Sequence, residues 1–318
     1  MAMSWTTHAC LPLRGLTAEL SAPVLVKRSR RFCWFPSLIR QNEDALWAIM
    51  TAYADIHTTG AFCYLTRSRD GGLTWDEARV IGDAGLNHLI LPDGRALVLP
   101  YKLRPRPNGA LGAPCNLISP NGELSSRASG VNVTGWPRPM GAASPDLGTA
   151  PFVFNGQVVR GQSGEFLTTL YGKFEGDARY SLLLAESPDG LAWRIRSLIA
   201  GPDCPLEGKE GPCESALCRL ANGRLMCVFR LGQFVRYGRA DSNDDGRTWS
   251  TPTNIAPGSV EPSLQVMGDG VVALSGGRSG LFAWLSAGGQ GEDWQALDIV
   301  AHHNACQPRD PIDARYSW

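Results

Sequence analysis

Short apolar runs separated by clusters of turn formers occupy most of the chain. The runs are Leu46 to Tyr53, Phe62 to Thr66, Ala96 to Tyr101, Phe152 to Val159, Tyr180 to Ala185, Leu225 to Phe229 and Val271 to Leu274. Between them stand Pro92-Asp93-Gly94, Asn155-Gly156, Asn222-Gly223 and Gly268-Asp269-Gly270. Runs this short, bounded by glycine, proline, asparagine and aspartate, read as β-strands joined by tight turns. No segment keeps a helical apolar period for three turns. The stretch Arg104 to Gly148 breaks the rhythm, and Pro105 to Pro114 reads as a long loop, a feature that is often functional in a compact domain. The tail from His302 to Trp318 also reads as irregular.

One turn pattern keeps returning. Ser68, Asp70, Gly71, Gly72, Thr74 and Trp75 form a Ser-x-Asp-Gly-Gly-x-Thr-Trp segment that returns as Ser242, Asp244, Asp245, Gly246, Thr248 and Trp249. A copy one residue shorter is Ser187, Asp189, Gly190 and Trp193, and worn copies begin at Ser119 and Ser286. Serine and aspartate side chains bond nearby amides and hold a turn. Glycine supplies positive φ, and the tryptophan opens the next strand with a large ring to bury. These aspartates therefore read first as turn formers. The starting serines are 51, 68, 55 and 44 residues apart. A unit of four strands over about 40 to 50 residues has the size of a propeller blade, and the chain length then allows about six. The pattern predicts an all-β chain, a six-bladed β-propeller of four-stranded antiparallel sheets.

Composition narrows the classes. The 30 basic and 30 acidic residues cancel, which argues against nucleic acid or an anionic membrane as partner. The 36 glycines and 22 prolines suit a turn-rich fold. The nine cysteines are odd in number and scattered, without a C-x-x-C metal spacing, and most fall in apolar runs as small buried hydrophobes. No metal or cofactor is expected. His8, Arg14 and Glu19 interrupt the N-terminus, so it reads as neither leader nor membrane span. The expectation is a soluble, cytoplasmic protein, with secretion as the alternative. Residues 1–21 read as a loose N-terminal segment and 22–318 as the propeller. Ala22 to Lys27 reads as a strand that closes the last blade against Val271 to Leu285.

The Ser-x-Asp-x-Gly-x-Thr-Trp turn resembles the Asp-box of sialidases and related bacterial-neuraminidase-repeat proteins. The resemblance spans roughly Phe35 to Tyr316. A second stretch is sharper: Cys213-Glu214-Ser215-Ala216-Leu217 leads through Asn222-Gly223 to Phe229-Arg230. It resembles the sialidase segment in which a glutamate opens one strand and an arginine closes the next. The resemblance implies that Glu214 polarises a tyrosine nucleophile and that Arg230 grips the substrate carboxylate. Gly276-Gly277-Arg278 resembles the segment of the third family arginine and makes Arg278 a second carboxylate ligand. Ala314-Arg315-Tyr316-Ser317 resembles the nucleophile segment and gives that role to Tyr316. Asp55, 13 residues before Ser68, stands where the family carries its acid/base. Asn87, His88 and Tyr101 lie in the region that resembles the border of the sugar pocket.

One departure is clear. Trp34-Phe35-Pro36 stands where many sialidases have Arg-Ile-Pro, so the first arginine of the carboxylate triad is a tryptophan here. Together these features imply an exo-α-sialidase-like hydrolase that cleaves terminal sialic acid, or a related acidic sugar, from glycans with retention. The rival is a non-catalytic glycan-binding propeller that keeps the Asp-boxes as scaffold.

Overall fold

The computed structural model describes residues 6–29, 33–42, 44–52, 62–82, 87–141, 147, 150–232 and 235–313. The fold is all-β, 47% strand and 3% helix. The chain divides into two compact units, one of residues 1–11, 18–101 and 113–131, the other of residues 12–17, 102–112 and 132–318.

The N-terminus forms a hairpin of β1 (Thr7–Leu13) and β2 (Leu16–Ser21). Its turn places Gly15 at φ +83°. In the first unit, β3 (Trp34–Arg40), β4 (Leu46–Thr51), β5 (Phe62–Ser68) and β6 (Arg79–Gly82) make one antiparallel meander. Next come β7 (His88–Ile90) and β8 (Ala96–Val98), then the two-residue β9 (Arg104–Pro105) of the second unit, then β10 (Leu111–Ile118) and β11 (Leu124–Thr134). The sheet order is β7-β8-β10-β11.

The second unit repeats the plan. Strands β12 (Phe152–Phe154) and β13 (Val159–Arg160) both pair with β14 (Phe166–Gly172), followed by β15 (Ser181–Ser187) and β16 (Ala192–Ala200). Residues Asn132 to Thr134 of β11 lie parallel to β16. The next meander is β17 (Ser215–Arg219), β18 (Leu225–Phe229), β19 (Gly238–Ser242) and β20 (Thr253–Asn254). The last is β21 (Val260–Val266), β22 (Val272–Gly277), β23 (Leu281–Ser286) and β24 (Gln295–Asp298). All seven residues of β14 and all five of β18 are buried. Strands covered on both faces read as unbroken apolar runs, as Leu225 to Phe229 does in the sequence; β14 does not, because Thr168 and Thr169 stand at its centre.

The described strands form five such meanders and a hairpin, where six four-stranded sheets were expected. Ala22 to Lys27, expected as a closing strand, lies outside any strand; Pro23 has no N–H for a ladder. It is the β1–β2 turn that reaches the last meander. Arg14 N–H donates to Gln295 Oε1 at 2.5 Å and Gln295 Nε2 donates back to the Arg14 carbonyl at 2.9 Å. Residues 1–21 are thus an ordered hairpin over their described part. The C-terminal tail, expected to be irregular, opens with helix α1 (Ile299–Cys306), capped by Asp298, whose side chain accepts from Ala301 N–H at 2.8 Å. No helix among the described residues is long and apolar enough to cross a membrane.

The repeated turns are built alike. Ser68 Oγ donates to Asp70 Oδ1 and accepts from Gly72 N–H, both at 2.8 Å. Thr74 donates its N–H and its hydroxyl to the two Asp70 oxygens at 2.9 and 2.6 Å. Ser242, Asp244, Gly246 and Thr248 repeat every one of these bonds. In the shorter copy, Asp189 accepts from Leu191 and Ala192 N–H, and Trp193 Nε1 donates to the Gly190 carbonyl at 2.8 Å. The Trp193 ring is 1% exposed and meets Phe154 edge-on at 5.5 Å. The Asp-boxes are scaffold, as expected: each closes a β-turn, and the Trp193 indole is buried while Trp75 and Trp249 are half-buried.

Candidate active site

The β17–β18 hairpin sets the site. Its turn is held by Leu220 N–H on the Arg224 carbonyl and by Asn222 Oδ1, which accepts from Arg224 N–H. Gly223 takes φ +85° there, a conformation that glycine adopts without a Cβ clash. The register pairs Ser215 with Phe229. One step beyond, Arg230 N–H donates to the Glu214 carbonyl at 2.8 Å and Cys213 N–H donates to the Arg230 carbonyl at 3.0 Å. Glu214 and Arg230 therefore share one rim, as the hairpin reading predicts. Arg230 Nη1 donates to Glu214 Oε1 at 2.7 Å, and Nη2 donates to Glu210 Oε1 at 3.0 Å.

Glu214 receives a second donor from the next meander, Glu261 N–H on Oε2 at 3.0 Å. Its side chain is only 18% exposed. Burial pushes its carboxyl up, and Arg230 and the Glu261 amide oppose this without reversing it. Burial alone would lower the Arg230 pKa, but Glu214 and the other neighbouring acidic groups, Glu210 among them, together outweigh it and raise it. The Tyr237 hydroxyl, buried and donating to the Val260 carbonyl at 3.2 Å, is pushed up by burial and by the nearby Glu214 charge. That phenol is held neutral.

Sequence reasoning missed three residues here: Glu210, Asn155 and Glu261. Asn155 Nδ2 donates to Glu261 Oε1 at 2.9 Å, and Asn155 Oδ1 accepts from Ser215 N–H at 2.7 Å. Glu261 takes φ +44° at a register shift between Val260 and Ser263, just before Pro262. Phe35 does the same at φ +48°, at a shift between Trp34 and Ser37, just before Pro36. Trp34-Phe35-Pro36-Ser37 and Val260-Glu261-Pro262-Ser263 are thus two copies of one strand opening. Their shared Pro-Ser was the signal that could have found Glu261.

The other expected residues fall as follows. Arg278 follows β22 at φ +67°. Gly277 pairs with Val260, and Ser259 Oγ donates to the Gly277 carbonyl and to the Arg278 carbonyl. Its backbone thus stands at the end of β22 beside Ser259, two residues from Glu261. Asn87, His88 and Tyr101 belong to the first unit. The Asn87 carbonyl accepts from Leu99 N–H at 2.8 Å, and His88 Nδ1 lies 3.3 Å from Ser37 Oγ. Burial pushes the His88 imidazole down to about 4, so it is neutral near pH 7. Trp34 opens β3 and meets Phe35 edge-on at 6.0 Å. Asp55 and Tyr316 lie outside the described residues. Among the described residues no group of three or more His, Cys, Asp or Glu could hold a metal ion.

A separate cavity of about 740 Å³ is lined by Arg14, Arg224, Arg239, Asp241, Asn254 and Trp294, among others. Arg224 precedes β18 and Arg230 follows it, so this cavity lies about 20 Å along the strand from Glu214. Its charges are mostly paired: Arg239 donates to both Asp241 oxygens at 2.9 and 3.1 Å.

Antiparallel meanders closed by Ser-x-Asp turns, with a half-buried carboxyl and an arginine paired on one rim, define an Asp-box β-protein with a fold found among glycoside hydrolases. The chain belongs to the BNR repeat-like domain family, whose model matches residues 89–305, and so to the sialidase-like Asp-box superfamily. No curated protein matches it in sequence. Among solved structures it is similar to a protein of unknown function from Dyadobacter fermentans DSM 18053, at 18% identity and TM-score 0.68, over 87% of this chain and 85% of that one. It is similar to the Hadza microbial sialidase Hz136 at 15% identity and TM-score 0.57, over 84% of this chain and 58% of the sialidase. It is also similar to an α-L-arabinanase from Penicillium chrysogenum, complexed with arabinobiose, at 16% identity and TM-score 0.57, over 85% of this chain and 81% of that one. At these identities the likeness is one of fold.

Proposed function

We propose that the protein is a glycoside hydrolase of the exo-α-sialidase type, a six-bladed propeller that removes a terminal sialic acid or related acidic sugar with retention. The observation that carries this reading is the Glu214–Arg230 pair, built by hairpin register and half-buried at one rim. A sialoside bears a carboxylate on its anomeric carbon, so a carboxylate nucleophile meets like charge there; a tyrosine avoids this, as sialidases do among glycosidases. In this reading Glu214 draws the proton from the Tyr316 hydroxyl as the phenol oxygen attacks the anomeric carbon. Asp55 protonates the departing oxygen and then takes a proton from the water that releases the sugar. Arg230 and Arg278 hold the substrate carboxylate by charge-assisted bonds.

The test is hydrolysis of a fluorogenic sialoside, with a fluorogenic arabinoside and other neutral glycosides as parallel arms. Turnover of the sialoside is expected, and Glu214→Gln should lower kcat/KM by about 100-fold or more. A specific observation favours a second reading: Trp34 replaces the first arginine, and Arg230 is shared with Glu210. Glycan binding with no turnover of any arm would select the non-catalytic binder, and turnover of a neutral glycoside alone would remove the acidic-sugar assignment.

A further inference from the structure

We infer that Asn155 is a positioning residue of this site, acting on Glu214 through Glu261. Asn155 is 1% exposed and its backbone is clamped. Its N–H donates to the Thr169 carbonyl at 3.1 Å, and its carbonyl accepts from the hydroxyls of Thr169 and Ser215. From this fixed base the amide serves two strands at once. Its oxygen takes Ser215 N–H, the residue next to Glu214, and its nitrogen holds the Glu261 carboxylate. A side-chain amide offers an acceptor and a donor on two separate atoms, one for each strand.

What Glu261 does with that grip is set by its backbone. At φ +44° before a proline it occupies a region that side chains avoid and that a following proline disfavours further. Such strain persists only where surrounding contacts over-determine it. Asn155 Nδ2 holds Oε1 of its side chain, and the backbone in this conformation aims its N–H at Glu214 Oε2 at 3.0 Å. The chain of causes runs from the Asn155 amide to the Glu261 carboxylate, to its backbone conformation, to the N–H that orients Glu214. Without the amide, the Glu261 carboxylate loses its bond to Asn155, and the N–H that orients Glu214 loses that support.

Among the described residues, the charged and titratable groups facing Glu214 are Arg230 at the end of β18, Glu210 and Cys213 in its own loop, Glu261 at the head of β21 and Tyr237 before β19. Asn155→Asp keeps the acceptor for Ser215 N–H but sets a carboxylate oxygen against Glu261. Like charge holds protons on this cluster. Since Glu214 must be ionised to take a proton, the acid limb of the kcat profile moves to higher pH.

The kinetic arm rests on the proposed hydrolase; the structural arm does not. Crystal structures of wild type and Asn155→Ala should show Glu261 leaving positive φ and its N–H leaving Glu214. On whichever fluorogenic glycoside the wild type turns over, Asn155→Ala should lower kcat by about 100-fold with KM little changed. Glu261→Ala should do the same, and the double variant should be no worse than either single one, because both act on one N–H. Asn155→Asp should fold and shift the acid limb upward by about one pH unit. An Asn155→Ala crystal structure with the Glu261–Glu214 bond intact overturns the inference. So do additive single effects, or an unmoved pH profile in Asn155→Asp. If the wild type hydrolyses no glycoside, the proposed function falls and the crystal comparison alone decides this inference.

Discussion

Replacing Arg196 by methionine tests whether the second unit is held by a buried ion network. The Arg196 side chain is 8% exposed and reaches three carboxylates. Its Nη2 donates to Glu165, its Nε to Glu186 at 2.5 Å, and its Nη1 to the Asp245 carbonyl at 2.6 Å and to Asp245 Oδ2 at 3.1 Å. Asp245 occupies the position of Gly71 in the first box, at φ +62°, with its side chain 2% exposed. It also accepts from Arg219 and from Gln162 N–H. Methionine preserves much of the aliphatic volume and removes every donor. Breaking a buried pair leaves uncompensated charge and costs about 3–5 kcal/mol. Since Arg219 still serves Asp245 and Arg194 still serves Glu186, the low end applies, about 3 kcal/mol. At about 2–4 °C per kcal/mol for an unfolding unit of about 150–250 residues, the melting temperature of this unit should fall by about 6–12 °C. The pH arm has a definite sign. Burial tends to raise Glu186 and Asp245, but the arginine bonds outweigh it and both lie below their ordinary values. A lowered folded pKa stabilises above the unfolded value and loses that contribution as pH falls. The gap between wild type and Arg196→Met should therefore be widest near pH 7 and narrow below about pH 4. Calorimetric melts at both pH values measure it. A loss under about 2 °C at pH 7, or a gap that stays constant on acidification, refutes the network argument.

Trp193→Ala removes a ring buried at 1% exposure together with its bond to the Gly190 carbonyl, and denaturant unfolding should show a loss of about 3–5 kcal/mol. Hydrogen bonds from Thr248 push the Asp244 carboxyl down to about 2; carboxyl titration by NMR should find that low midpoint, and Thr248→Ala should move it back toward the ordinary aspartate range. The same bonds make the box stabilising above the unfolded aspartate value, a contribution lost as pH falls toward 2, so Thr248→Ala should matter little to melts at the lowest pH.

Local chemistry was legible in the sequence, and contacts of long separation were not. Ser68, Asp70, Gly72 and Thr74 span seven residues, and the bonds that close their turn are specified by those side chains alone. The hairpin from Glu214 to Arg230 was legible for the same reason: an Asn-Gly turn between two apolar runs sets the register, and register sets which ends meet. The β1–β2 hairpin escaped notice because its outward positions are mixed and its turn carries only Arg14-Gly15. Helix α1 was missed because eight residues are too few for a period to show.

The sequence by itself determined the strand-and-turn character of the chain, its Asp-box corners and the placing of Glu214 and Arg230 at one end of a hairpin; their ion pair came from the structure. The tertiary structure decided that Asn155 and Glu261, 106 residues apart, share one bond, and that Glu261, 47 residues from Glu214, orients it. It also decided that Asp245 anchors a buried network instead of only turning a corner. The reason is physical. A turn is the low-energy state of its own few residues, whereas a left-handed glutamate before a proline is locally unfavourable, and only contacts from distant strands hold it there.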